Sequence, residues 1–366
     1  MAANSFDIVQ RRQVFLERLK AGEAKKFEVF LREMDKVLRD RLTSADITSY
    51  ERTRVERLLA DVSVKLEAIL GEWRRDYTAS LIGIAETDAQ WESRALNEMT
   101  IGAFEAVVPA LEQVRQSITL TPMNVKGVDG GQLLAPFLEG WSQRNIDGLT
   151  GVIRQGYYQG RTTAQILGDL RGSKALNYAD GTLALTNRSA QGVIKTTIQD
   201  ATTKAREETL RANSRVVTGV VWTSTLDDRT TEVCRSLDGR RYDLNEGPRP
   251  PAHFNCRSTV VPEIDKAFSA LEKGMERASI DGPVPAKETY YEWLKNQPAK
   301  FQDEALGPTR AALFRDGGIS AQRFSELNLG RNFEPLTLLE MQRLEPVAFD
   351  RAGIKISETT GRVVSQ

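Results

Sequence analysis

The chain has 366 residues, 40% of them apolar, which is enough for substantial cores and too many for one minimal domain, so two or three domains are expected. Its 50 basic residues balance 50 acidic ones, which excludes a polycation that condenses on nucleic acid unaided. No run approaches the roughly 20 apolar residues of a membrane-spanning helix, and the opening MAANSFDIVQRR lacks the apolar centre of a secretory signal, so a soluble protein made in the cytoplasm with no membrane span is expected.

From Asn4 to about Gln116 the chain is rich in Leu, Val, Arg, Glu and Ala with helical periodicity. Phe27, Phe30, Met34, Leu38 and Leu42 form one stripe, and Val55, Leu58, Leu59, Val62, Leu66, Ile69 and Leu70 a second. Thr43 to Thr48 supplies turn and cap chemistry between them, predicting a helical hairpin or bundle across residues 1–120. Thr121-Pro122 followed by Gly127, Gly130 and Gly131 predicts a break before Leu133, where a central unit spanning 133–265 begins. Its first half reads as helices over Phe137–Tyr158, Thr162–Leu170 and Ser189–Asn213, with Val193, Ile194 and Ile198 inward and Lys195 and Lys204 on the opposite side. Between Gln143 and Arg215 eleven basic residues face six acidic ones, an excess of five that suits either a polyanion or a solvated helix face.

The pattern then changes to short and β-branched. Val216 to Thr223 predicts a buried strand, Asp227-Asp228 a turn, Thr230 to Leu237 a brief helical turn, and Arg240 to Tyr242 an extended segment. Gly247, Pro248, Pro250 and Pro251 predict a rigid loop, and Ser258 to Pro262 a strand returning beside the first. Residues 266–366 read as a polar, helical extension, with Gly282-Pro283 and Pro285 as a flexible link and helices over Tyr290–Leu294, Thr309–Phe314, Ala321–Leu327 and Leu336–Leu344. The expected class is therefore α+β, predominantly helical with a small β-sheet in the central unit.

Only two cysteines, Cys234 and Cys256, and one histidine, His253, occur, and all three fall in one short segment. That count argues against a disulfide-stapled scaffold. A single histidine also rules out a catalytic zinc centre built on two or three, and the chain holds neither a Walker loop nor a nucleophile elbow. No catalytic residues are assigned; a metal- or Cys/His-dependent hydrolase using Asp227, Asp228 and His253 is the rival reading.

The segment reads Trp222-Thr-Ser-Thr-Leu-Asp-Asp-Arg-Thr-Thr-Glu-Val-Cys234, then Leu237-Asp238-Gly239-Arg240, then Pro250-Pro251-Ala-His253-Phe-Asn255-Cys256-Arg257. This resembles the phage Mu F-like head morphogenesis proteins, whose pattern is a strand ending in tryptophan, Asp-x-Arg-Thr, a cysteine, Leu-Asp-Gly, and Pro-Pro-x-His-x-x-Cys-Arg. The ordered match covers about forty residues, and its four parts together are far more specific than any one. Tyr291 to Leu294 and Leu306 to Arg310 are similar to segments that follow this domain in phage minor head proteins.

The resemblance implies a minor head protein within the virion, inside the head near the portal, acting in head assembly and DNA packaging, with DNA ejection as a further implication. Its implied partners are the portal protein, the capsid interior and packaged DNA held non-specifically. Trp222, Asp228, Arg229, Cys234, Asp238, Gly239, Pro251, His253, Cys256 and Arg257 then define the domain, with Asp227 or Asp228 capping a turn, Gly239 at positive φ, and Arg229 and Arg257 pairing with Asp238. Arg235, Arg240, Arg241 and Arg249 are the expected exposed contacts to DNA or an acidic partner. A non-specific DNA-binding protein is the remaining alternative.

Many relatives carry a further cysteine three positions before Cys234, where this chain has Thr231. No cofactor is expected, and both thiols are read as buried packing residues with His253 bonded to the loop backbone. The alternatives are a structural zinc on Cys234, His253 and Cys256 with Asp227 or Asp238 as fourth ligand, and a Cys234–Cys256 disulfide.

Overall fold

The computed structural model describes residues 5–45, 47, 51–125, 130–268, 274–330 and 332–364; Asn4, Thr48 and Gly127 lie outside them. The fold is α+β and predominantly helical, with a small antiparallel sheet. Helices α1 (Ser5–Ser44) and α2 (Arg52–Met99) form the expected hairpin. Phe27, Met34, Leu38 and Leu42 meet Val55, Leu59, Val62, Leu66 and Leu70 in its seam, while Phe30, Leu58 and Ile69 lie partly buried at the margin. Thr43 and Ser44 stay helical instead of opening the turn; the Ser44 hydroxyl donates to Arg41 O at 3.2 Å, so it bonds back along α1.

Helix α3 (Leu111–Leu120) precedes α4 (Leu134–Tyr158), α5 (Thr163–Arg171) and α6 (Thr182–Ala212). A capping box between Thr162 and Gln165 starts α5. Helix α6 touches each of α1 to α5, which explains why its apolar and polar positions alike are buried instead of forming a single stripe. Lys204, expected on an outer face, is enclosed: it pairs with Asp200 at 2.8 Å and donates to Thr121 O at 2.8 Å. At the bundle's centre Phe27, Trp73 and Trp141 meet with ring centroids 5.0–5.7 Å apart, and the Trp141 indole N–H donates to Ser189 Oγ. One core runs from Ala24 on α1 to Ala205 on α6, so packing is continuous across the 120–133 segment.

The sheet lies at the far end of the bundle. Strand β1 (Val217–Thr223) is central, flanked antiparallel by β2 (Arg241–Tyr242) and β3 (Thr259–Ile264), with helix α7 (Glu232–Leu237) between β1 and β2 in sequence. Val220 faces Tyr242 on one side and Pro262 on the other. Val216, Val217, Val220, Val260 and Val261 share a core with Phe6 and Val9 of α1 and Leu96 of α2, which fixes the sheet to the bundle.

Two departures follow β3. Glu276–Ser279 and Gly282–Pro285 form a hairpin, β4 and β5, where helix and a flexible link were expected. Gly282, at φ +124°, makes the turn, and a proline-bearing strand is tolerated at such an edge. The hairpin rests on the start of α1: Ala278 N donates to Gln10 Oε1 at 2.6 Å. The remaining helices are α8 (Tyr290–Lys295), α9 (Ala299–Leu306), α10 (Pro308–Asp316), α11 (Ala321–Asn328), α12 (Leu338–Leu344) and α13 (Pro346–Arg351), of which α9 and α13 were not anticipated. They enclose Tyr290, Tyr291, Trp293, Phe314, Phe324 and Phe349 in a second core.

Arg206 on α6 couples the two parts. It pairs with Glu92 of α2 at 2.6 Å and donates to Val260 O and Thr259 Oγ1 on β3, with both charged side chains buried. Burial pushes the Glu92 carboxyl up, opposed by the Arg206 charge. Arg206→Ala leaves that acid unpaired and is expected to cost about 3–5 kcal/mol, read as a lowered midpoint in urea unfolding followed by circular dichroism.

Candidate functional site

The signature residues converge at the end of β1. Trp222 is fully buried; its N–H donates to Arg240 O and its carbonyl accepts from Gly239 N, both at 2.9 Å, which folds the α7–β2 connection over the strand. Gly239 has φ +79°, as expected, and an added Cβ would meet the Thr289 methyl at 2.7 Å. The Trp222 indole N–H donates to Ser224 Oγ, which in turn donates to Cys234 O at 2.8 Å and so anchors α7 beneath the strand end.

Asp227 caps its turn through the N–H groups of Arg229 and Thr230, as the sequence predicts. The arginine pairing differs from expectation, because Arg257 forms its fork with Asp227, at 2.7 and 2.9 Å, and not with Asp238. Arg229 and Asp228 are exposed. Asp238 instead receives both Nη atoms of Arg277, at 2.9 and 3.0 Å, together with Ser224 N and Tyr290 N. Arg277, on β4, was missed: it lies 39 positions from Asp238 in a stretch with no motif around it.

Cys234 on α7 and Cys256 after the proline loop are both 1% exposed, with sulfurs 3.7 Å apart. His253 is half-buried; its Nε2 stands 3.1 Å from Cys234 Sγ and its Nδ1 2.9 Å from Phe254 O. The loop bonding expected for His253 is therefore present. The peptide between Pro250 and Pro251 is cis, and both rings are buried. The loop leans on the bundle, since Asn255, at φ +57°, donates its N–H to Thr196 Oγ1 of α6 at 3.0 Å.

The two thiols titrate in opposite directions. Burial, with Cys256 beside it, pushes Cys234 well up. The hydrogen bond from Cys234, reinforced by His253 and opposed by burial, holds Cys256 well below the usual thiol range. Burial lowers the His253 imidazole, but its bonding and charge interaction with Cys256 and the Phe254 carbonyl outweigh this, leaving it raised.

Among the described residues, Cys234, His253 and Cys256 form a group that could hold a metal ion, their ligand atoms all within 4.8 Å of one another. Neither expected carboxylate joins them: Asp227 is committed to Arg257 and its own turn, Asp238 to Arg277 and two backbone N–H groups.

The four arginines expected as an exposed cluster are not one. Arg235 is buried, stacked on the Tyr290 ring and donating to Ala305 O and Asp228 O. Arg249 is buried too, binding the carbonyls of Asp243 and Glu246 and pairing with Glu207 of α6 at 2.9 Å. Arg240 is half-buried, and Arg241, though exposed, reaches Glu263 on β3 at 2.9 Å. Six of the eleven basic residues upstream are drawn into pairs: Arg154 with Glu56, Arg161 with Asp169, Arg171 with Asp35, Lys204 with Asp200, Arg206 with Glu92 and Arg211 with Glu208.

No family model, curated protein or solved structure matches the chain. Among the described residues no helix is long and apolar enough to cross a membrane.

The Asp227–Arg257 pair has a pH signature. Burial pushes the Asp227 carboxyl up, yet the Arg257 guanidinium, Thr230 and the Arg229 N–H together hold it below its ordinary value. A depressed carboxyl contributes stability above its unfolded pKa of about 3.9, and that contribution is lost as pH falls through the lower folded value. Asp227→Ala is therefore expected to destabilise by about 1–3 kcal/mol at pH 7, with the gap from the unaltered protein narrowing at pH 3 in parallel urea titrations.

Proposed function

We propose that the chain is a minor head protein of a tailed bacteriophage, of the Mu F-like kind, acting inside the head near the portal in assembly and DNA packaging and leaving with the genome. The observation that carries this reading is the convergence of its signature. Trp222, Cys234, Asp238, Gly239, His253, Cys256 and Arg257 of that signature, with Asp227 of its Asp-x-Arg-Thr turn, are spread over about forty residues yet meet in one small structure, while Asp228 and Arg229 stay exposed beside it. A chance match of short motifs carries no requirement that its pieces touch. A fold-defining pattern does.

Its role in this reading is architectural. Both thiols are buried and Asp227 is clamped by Arg257, which favours packing over catalysis at these residues. The long α1–α2 hairpin, with Val14, Phe15, Val29 and Val64 exposed along it, offers a surface for the portal or capsid wall. Simple phosphate attraction is the weaker reading, because Arg235 and Arg249 are buried and Arg241 is paired with Glu263.

Quantitative mass spectrometry of purified phage particles that encode this chain tests the proposal. A few copies per full head, depleted once particles are triggered to release DNA, are the expected result. Complete absence from every particle would overturn it.

A further inference from the structure

We infer that Cys234, His253 and Cys256 form a three-ligand site for zinc, whose fourth corner is left to water or a small anion beside Thr231. This does not rest on the phage reading. Zinc lies about 2.3 Å from sulfur and 2.0–2.1 Å from nitrogen. At tetrahedral angles those lengths fix an edge of about 3.8 Å between two sulfurs and about 3.6 Å between sulfur and nitrogen. The thiols already stand 3.7 Å apart, the imidazole nitrogen lies 3.1 Å from Cys234, and all the ligand atoms fall within 4.8 Å of one another, so His253 is the ligand that has to shift. A disulfide would instead require buried sulfurs to close from 3.7 Å to about 2.05 Å.

The imidazole is set for ligation. The Phe254 carbonyl, 2.9 Å from Nδ1, accepts only if Nδ1 carries the proton, which leaves the Nε2 lone pair aimed at the sulfurs. Soft thiolates and an imidazole select zinc over calcium or magnesium, which take oxygen ligands. With both nearby aspartates engaged elsewhere, no carboxylate completes the set.

The open corner falls to Thr231. It borders Cys234 at the start of α7, its buried hydroxyl interacting with the Cys234 thiol. With that sulfur on the metal, a water or anion in the open corner would give the hydroxyl a further partner. The metal would also bind α7 to the proline loop, joining residues 22 positions apart.

The test uses the full chain, reduced and dialysed against zinc and then, separately, cobalt(II). About one zinc per chain is expected, and the cobalt form should show thiolate-to-metal charge transfer with visible bands that thiocyanate shifts. Cys234→Ser and His253→Ala should lose the metal with unchanged far-ultraviolet circular dichroism. Thr231→Cys should fill the corner, slowing zinc loss to a chelator by about tenfold or more and abolishing the thiocyanate response. Far less than one zinc per reduced chain, or cobalt without charge transfer, would overturn the site. Cobalt bands indifferent to thiocyanate, or Thr231→Cys releasing zinc no more slowly, would overturn the open corner.

Discussion

The carboxylate of Asp238 is where the small domain is tied together. Its four hydrogen bonds come from the end of β1, from β4 and from the first turn of α8, and the arginine it holds also donates to Ser224 O and Glu288 O. Both ions are almost wholly buried, so each depends on the other and on the backbone groups that bond them. The sheet, the hairpin and the C-terminal helices thus share one electrostatic joint. Cys234 of the Cys/His cluster lies on the α7 whose C-terminal end that joint fixes, and Ser224 links the two through Cys234 O.

What was legible in the sequence was whatever a local rule writes. The α1 and α2 stripes, the β-branched run of β1 and Gly239 each follow from periodicity or backbone sterics within a few residues. The hairpin of β4 and β5 was not legible, because its strands are four residues each, the first mostly polar and the second carrying two prolines. The choice of arginine was not legible either. Arg257 and Arg277 are equivalent donors for a carboxylate, and only the fold decides that the distant one reaches Asp238 while the nearer one reaches Asp227.

The same lesson governs charge. A count of basic residues measures what the chain contains, whereas a surface potential depends on which of them find partners. Helix α6 is read in sequence as amphipathic, yet it passes through the middle of the bundle, so Lys204 and Arg206 become interior ions matched to Asp200 and Glu92. Arg235 and Arg249 follow this course around the sheet. Their planar guanidinium groups gather backbone carbonyls from turns that would otherwise leave them unpaired.

The bond between Gln10 and Ala278 joins positions 268 residues apart. At ribosomal speeds of about 5–20 residues per second, roughly 13 to 54 seconds separate the synthesis of its two halves. For most of that interval the start of α1, with Phe6, Ile8 and Val9, has no sheet to cover it, because β1 and β3 are made near its end and the hairpin last. The N-terminal helix is made early and seated late, and a nascent chain holds that apolar end exposed to chaperones or to neighbouring chains until the last strand arrives.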